Sequence, residues 1–314
     1  MPTDLQRIIG FYTQGRPGPL IFFIGGIHGN EPAGVMALER VFWTLEEMKP
    51  AFQGNMIGVR GNVPALRQQR RYIDRDLNRL WSAQEIDRIR AIPDTSLLNT
   101  EERELLALLD LIEAHFSNGH EREVLIDLHT TSGSGGMFSI VTEHDPFNHR
   151  LASALHTPVV FGLSGALSAT TNKFIEQRGI QGLAFESGQH NDPKSVDLHE
   201  SAIWLILEKC GCIDAYDIPG FEQHHKQLIV ASRELPHYVE VIHRHSINPG
   251  DDFRMHLGFS NFHQIYKGEP LARDRHGEVI CPATGLMLMP LYQSQGEDGF
   301  FVIRKIDVPP GAGA

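Results

Sequence analysis

Cysteine is scarce in this sequence, positive charge is in deficit, and long apolar runs are missing from the N-terminal part. Three cysteines in 314 residues, Cys210, Cys212 and Cys281, cannot all pair and form no disulfide framework, so a reducing compartment is expected. The first apolar run, Leu20 to Ile24, falls far short of the roughly 20 residues that a bilayer span needs. The opening stretch from Met1 to Arg7 lacks the basic and then apolar regions of an export signal, which makes a cytoplasmic location the expectation. With 28 Lys+Arg against 39 Asp+Glu, the formal net charge is −11. Such a chain has no long-range attraction to phosphate backbones or anionic lipid, so neither nucleic acid nor a membrane surface is an expected partner. What is present is globular: 41% hydrophobic and 21% charged residues, in a length that suits about two domains. The 17 histidines are numerous for such a chain, and only their neighbourhoods can select ligands among them.

Along the first two thirds, short apolar runs alternate with helical patterns. Leu20 to Ile24 reads as a buried strand ending at Gly25 and Gly26; Pro32 then suits a first helical turn, and Leu38, Val41, Phe42 and Leu45 recur at helical spacing. Asn55 to Asn62 reads as a strand. Asn99 with Glu102 forms a capping pair ahead of the apolar stripe Leu105, Leu108, Leu109, Ile112 and Phe116. Val124 to Leu128, Phe138 to Val141, Val159 to Phe161 and Gly182 to Phe185 are further strands, and Pro193 to Lys209 is helical. This alternation predicts an α/β domain over residues 1–215, built on a mainly parallel central sheet flanked by helices. After about Tyr216, short strand-like pieces separated by Gly, Pro and Asn turns predict a smaller β-rich domain over 216–314, with a frayed tail from Pro309.

The first chemistry lies in Gly25-Gly-Ile-His-Gly-Asn-Glu31. His28 and Glu31, three apart, reach one face of a helical turn and supply the nitrogen and oxygen donors that zinc accepts. The spacing alone is weak, because His120/Glu123 and His237/Glu240 repeat it. What distinguishes the first copy is its position directly after a strand, with Gly25, Gly26 and Gly29 permitting a sharp turn; the alternative is a glycine-rich turn with incidental polar residues. His129, at the end of the strand Val124 to Leu128, is the third candidate, since strand ends gather at one edge of a parallel sheet. Asp127 shares its strand face and reads either as a support behind the ligand or as a structural acid. Three protein ligands leave a catalytic zinc its open position for water.

Arg70, Arg71, Arg75 and Arg79 are concentrated among Asp74, Asp76 and Asn78, a cluster able to bind carboxylates or stabilise an oxyanion, unless it is only a solvated, self-paired charge run. Glu186 ends an apolar strand, where a carboxylate that is not a ligand can take a proton from zinc-activated water and pass it to a leaving amine. Taken singly, it could equally be a salt-bridge partner. Cys210 and Cys212, near a helix end, read as structural.

Taken in order, Gly25 to Glu31, Arg71 to Arg79, Asp127-Leu-His129 and Glu186-Ser-Gly188 resemble the succinylglutamate desuccinylase/aspartoacylase family, relatives of the zinc carboxypeptidases. The resemblance spans roughly the first 190 residues and implies a zinc-carboxypeptidase-like fold with a β-rich C-terminal part partly covering the site. It implies one Zn²⁺ per chain on His28, Glu31 and His129, and Glu186 as general acid/base. Arg71 would polarise the scissile carbonyl, Asn78 and Arg79 would hold a substrate carboxylate, and Asp76 would orient the arginines. The reaction implied is hydrolysis of a small N-acyl amino acid by zinc-bound water. Two departures bear on the substrate. Aspartoacylase carries, after an Ala-Thr-Thr stretch, an arginine that grips a second carboxylate; here Ala169-Thr-Thr171 is followed by Asn172 and Lys173, with Arg178 farther on, and Lys173 or Arg178 is the candidate to stand in for it. Where that enzyme offers a tyrosine near the C-terminus, this chain has Gly299-Phe300-Phe301. N-acetylaspartate is therefore disfavoured. The leading expectation is a deacylase of a small N-acylated amino acid or acylated amine, against a zinc carboxypeptidase for short peptides and an inactive metal-containing binder. Homo-oligomerisation is left open.

Overall fold

The computed structural model describes residues 5–116, 119–141, 145–167 and 169–307; the expectation of a frayed tail from Pro309 lies outside them. Strands β1 (Ile8–Thr13), β2 (Leu20–Gly25), β3 (Asn55–Arg60), β4 (Glu123–Thr131), β5 (Phe138–Val141), β6 (Val159–Phe161) and β7 (Gln181–Gln189) come first. Helix α1 (Ala33–Met48) joins β2 to β3, and α2 (Val63–Gln68), α3 (Ala83–Arg90) and α4 (Thr100–Phe116) lie between β3 and β4. Helices α5 (Pro146–Ala154), α6 (Leu163–Ala166) and α7 (Thr171–Arg178) precede β7, and α8 (Pro193–Lys209) and α9 (Phe221–Ser232) follow it. The chain then supplies β8 (Tyr238–Ser246), β9 (Arg254–Met255), β10 (Gln264–Ile265), β11 (Pro270–Asp274), β12 (Gly277–Ile280), β13 (Gly285–Leu288) and β14 (Asp298–Lys305).

Strand β2 is buried at every residue because it pairs in parallel with β3 on one side and β4 on the other, with both faces covered. Its alternating side chains sort into two cores. Ile21 and Phe23 pack with Leu38 and Val41 of α1 and Ile203 and Leu207 of α8, whereas Leu20, Phe22 and Ile24 pack with Leu105, Leu109 and Ile112 of α4. Helix α4 begins with the expected capping pair: Glu102 N–H donates to Asn99 Oδ1 and Asn99 N–H to Glu102 Oε2, each at 3.0 Å.

The large sheet runs β1-β3-β2-β4-β7-β5-β6-β8-β14-β13-β10. Strands β3, β2, β4 and β7 are mutually parallel, and β5 is antiparallel to β7. Strand β8 joins in parallel with β6, so β8, β14, β13 and β10 extend the same sheet, while β12, β11 and β9 form a second one. This is a mixed α/β fold around one central sheet. From β2 the chain moves outward to β3, then crosses back to β4 on the opposite side, so the loops after β2 and β4 separate at a switch point, where open α/β sheets hold ligands.

Two elements differ from expectation. Helix α9 interrupts the region anticipated to be strands alone. It rests against α8, and Leu228 is its one fully buried residue, so its sequence carries little helical apolar pattern. Strand β1 pairs antiparallel with β3 at the sheet edge and buries only Tyr12, leaving its apolar signal equally faint. Among the described residues no helix is long and apolar enough to cross a membrane.

Candidate functional site

His28 and Glu31 lie in the turn that links β2 to α1, closed by Glu31 N–H donating to the His28 carbonyl at 3.1 Å. This is a loop ahead of α1, not the helical turn the spacing suggested. Gly29 lets the turn press against α2: a Cβ there would lie 2.0 Å from the Ala65 carbonyl carbon. His129, on β4, completes the group. His28 Nδ1 is 2.7 Å from Glu31 Oε1 and His129 Nδ1 is 3.1 Å from Glu31 Oε2, and one donor atom from each residue falls within 4.8 Å of the others. All three side chains are buried. The other His-x-x-Glu spacings, His120/Glu123 and His237/Glu240, lie outside this cluster, and Glu240 pairs instead with Arg304.

The far nitrogen of each imidazole meets a carboxylate. His28 Nε2 lies 3.1 Å from Asp76 Oδ1, and His129 Nε2 lies 2.8 Å from Asp127 Oδ2. A carboxylate behind each imidazole fixes its ring and tautomer and raises its donor strength, the arrangement that metal-binding histidines use. Two imidazoles and a carboxylate form a donor set that suits zinc. Burial opposes ionisation of Glu31, but the adjacent His28 and hydrogen bonds from His129 and His28 outweigh it and hold its carboxyl well below the usual range. Burial likewise opposes charge on His129, yet Asp127 and Glu31 raise its pKa well above the ordinary value.

Glu186 faces this group from the neighbouring strand, because β4 and β7 are in register with His129 opposite Glu186 and Asp127 opposite Ala184. Its carboxyl is buried, and Oε2 has no hydrogen-bond partner among the described residues. Burial pushes its pKa up to about 8, with Glu31 and Asp127 adding to the shift and His129 opposing it.

The arginine-rich loop after β3 is solvated only in part: Arg70, Asp74 and Arg75 are exposed, whereas Arg71 and Asp76 turn inward. Arg71 donates from Nε and Nη2 to Asp76 Oδ2 at 3.0 and 2.8 Å, and its Nη1 lies 3.7 Å from Glu31 Oε1. Asp76 therefore spans two tasks, one oxygen on Arg71 and the other on His28. Its burial opposes ionisation, but Arg71 and His28 hold its pKa well below normal. Asp76 thus holds the Arg71 guanidinium through two hydrogen bonds; its contact with His28 had no signal in the sequence. Asn78 Oδ1 accepts from Thr171 N–H at 2.8 Å and Thr171 Oγ1 at 2.9 Å. Arg79 Nη2 is 2.5 Å from Asp298 Oδ2 and Nη1 donates to the Asn78 carbonyl, while Nε lacks a hydrogen-bond partner among the described residues.

Three contributors were missed. Glu101, fully buried on α4, accepts at Oε1 from Ile73 N–H (2.7 Å) and Asn62 Nδ2 (3.0 Å), and at Oε2 from Asp74 N–H (2.9 Å) and Arg75 N–H (3.1 Å). It clamps the arginine loop. In sequence it is one more acid at a helix start. Asp298 falls in a stretch read as turn punctuation, yet it binds Arg79 and also Arg244 Nε at 2.6 Å. Arg244 itself lies in a strand where nothing marked it. Neither Lys173 nor Arg178 lines the cleft. Lys173 pairs with Glu176 at 2.9 Å, and Arg178 lies over Phe174 and 4.0 Å from Glu113. Asn172 and Phe301 do line it, beside Ile140, Leu163, Leu167, Ala184 and Met289. The three cysteines are free, two of them buried.

Residues 17–203 match the model of the succinylglutamate desuccinylase/aspartoacylase catalytic domain. A probable aspartoacylase of Acaryochloris marina is 29% identical over 172 residues, 54% of this chain and 54% of that relative, so the match spans about half its length. A succinylglutamate desuccinylase of Pseudomonas putida is 28% identical over 265 residues, covering 79% of this chain and 71% of that one. A crystal structure of a succinylglutamate desuccinylase/aspartoacylase from Rhodobacter sphaeroides superposes with a TM-score of 0.65 at 17% identity, covering 93% of this chain and 86% of the other. That likeness is one of fold.

Proposed function

This chain belongs to the succinylglutamate desuccinylase/aspartoacylase family, and from that premise we propose that it is a zinc-dependent amidohydrolase that deacylates a small N-acyl amino acid or related acylated amine. The observation that carries the reading is the convergence of His28, Glu31 and His129, each imidazole backed by a carboxylate, beside the buried and unpartnered Glu186 Oε2. His28, Glu31 and His129 would hold one zinc. When bound, zinc supplies Lewis acidity, making water a better nucleophile near neutral pH and polarising the acyl carbonyl.

The protein's own groups divide the remaining work. Glu186 takes a proton from the attacking water and returns it to the departing amine, a role that suits a carboxyl whose protonated and ionised forms are both accessible near neutral pH. Arg71, fixed by Asp76, offers Nη1 to the negative charge that develops on the carbonyl oxygen. Arg79 Nε, which makes no hydrogen bond among the described residues but lies 3.5 Å from the exposed Glu297 carboxylate, and Asn78 Nδ2 are the donors offered to the substrate's carboxylate. Residues 1–215 form the zinc-carboxypeptidase-like part in this reading, and residues 216–314 contribute the covering wall through Met289, Leu291, Gln293 and Asp298.

Zinc-loaded protein should deplete one or more members of a pool of N-acetyl and N-succinyl amino acids, acylated diamines and short peptides, with release of the matching amine by mass spectrometry. Chelation should abolish turnover and zinc restore it. Glu186→Gln should retain the metal and lose roughly 10²–10⁴-fold in turnover; near-normal turnover would remove Glu186 from the mechanism. Trimming of peptides from their C-termini would replace the deacylase reading with a carboxypeptidase.

A further inference from the structure

Asn172 has no part in that mechanism, yet it lines the same cleft. It sits in the first turn of α7, only 6% exposed, and neither Oδ1 nor Nδ2 has a hydrogen-bond partner among the described residues. Leaving both ends of a buried amide unpaired costs stability, so the position calls for a group that arrives from outside. Its backbone is held where it is: the adjacent Thr171 bonds through N–H and Oγ1 to Asn78 Oδ1, and Thr170 caps the helix by accepting from Lys173 N–H at 3.2 Å.

The charges around the cleft narrow what can pair with it. Arg71 is committed to Asp76, and Arg79 and Arg244 share Asp298. Lys173 and Arg178 point their charge at Glu176 and Glu113. Much of the remaining wall is apolar, with Leu163, Leu167, Ala184 and Phe301 prominent. With Arg79 Nε assigned to the α-carboxylate, a second carboxylate brought beside Asn172 would lose its hydration and find no further uncommitted cation. A carboxamide would satisfy both ends at once, its N–H₂ donating to Oδ1 and its carbonyl accepting from Nδ2.

We propose that Asn172 is a specificity-determining residue, selecting acylated amines that carry an uncharged carboxamide-type group and rejecting their carboxylate counterparts. The proposal rests on the deacylase reading, and it is tested with matched pairs: N-acetylglutamine against N-acetylglutamate, and N-acetylasparagine against N-acetylaspartate. The zinc-loaded enzyme should favour the amide of a pair by at least tenfold in kcat/KM. By calorimetry, the Glu186→Gln protein should bind it at least tenfold more tightly, because a site built around hydrogen bonds discriminates strongly against a partner that leaves them unmade. Asn172→Leu should collapse the ratio mainly through KM, and Asn172→Arg should reverse it, both at unchanged zinc content.

Equal or opposite preference in the unsubstituted protein overturns the proposal without needing either variant to fold. An unchanged ratio in Asn172→Leu overturns it as well. Hydrolysis of these compounds without preference removes the selectivity and leaves the deacylase standing. Selective binding without hydrolysis of any acylated amine does the reverse.

Discussion

Glu101 offers the sharpest test of how the site is held. Its side chain lies on a different helix from every residue placed in the chemistry, yet three of its four hydrogen bonds reach the loop that carries Arg71 and Asp76, and the fourth comes from Asn62 at the start of α2. Glu101→Ala removes all four. Hydrogen bonds to an ionised group contribute about 1.5–3 kcal/mol each. Asp74 and Arg75 are exposed residues, so water can replace the partner at their N–H groups. Asn62 is fully buried and Ile73 half-buried, so those two donors lose more. The net cost should therefore be close to two such bonds, about 3–6 kcal/mol. Glu101→Gln keeps the shape but turns an N–H₂ toward one pair of donors, and should cost about 1–2 kcal/mol. A displacement of Arg71 by around 1 Å should lower kcat/KM by roughly 10²-fold. Urea unfolding at matched zinc content, with kcat/KM on whichever acylated amine is accepted, checks both figures. Stability within 1 kcal/mol and kcat/KM within about twofold for Glu101→Ala would refute the clamp.

Two further outcomes are expected. Asp127→Asn should weaken zinc binding about 10–100-fold in competition with a chromophoric chelator, because Asp127 lies behind His129 Nε2; unchanged affinity would make it a structural acid only. His199 is fully buried against Phe185, and burial lowers its pKa to about 3. Since its folded pKa lies below the unfolded value of about 6.5, its stability contribution is complete above pH 6.5 and is lost as pH falls toward 3, by about 1.4 kcal/mol per pH unit. Between pH 6.5 and 5, His199→Phe should lose about 1.5–2 kcal/mol less than the unsubstituted protein, and parallel stability curves would show that His199 does not titrate on unfolding.

The parts legible in the sequence share a physical cause: their signal is local. The apolar run of β2 stands out because both faces of that strand are buried, and the Asn99/Glu102 pair because a capping box closes within four residues. His28 and Glu31 were legible because glycines surround them at a strand end. The parts that stayed hidden depend on distant chain. Helix α9 and strand β1 each bury one residue fully, too few to impose a period. The substitutes imagined for a second carboxylate-binding cation, Lys173 and Arg178, turn out to be paired away from the cleft on α7.

Residue type and order alone determined the α/β alternation, the candidate ligands, Glu186 and the ordered motifs that carry the family resemblance, since each is written in a short stretch of chain. Only the tertiary structure decided which acids stand behind which imidazole, that Glu101 clamps the arginine loop, and that Asp298 occupies Arg79 across 219 residues. Those partners are set by sheet register and by the return of β14 to the cleft, and a buried charge takes whichever counter-charge the fold brings within hydrogen-bond reach.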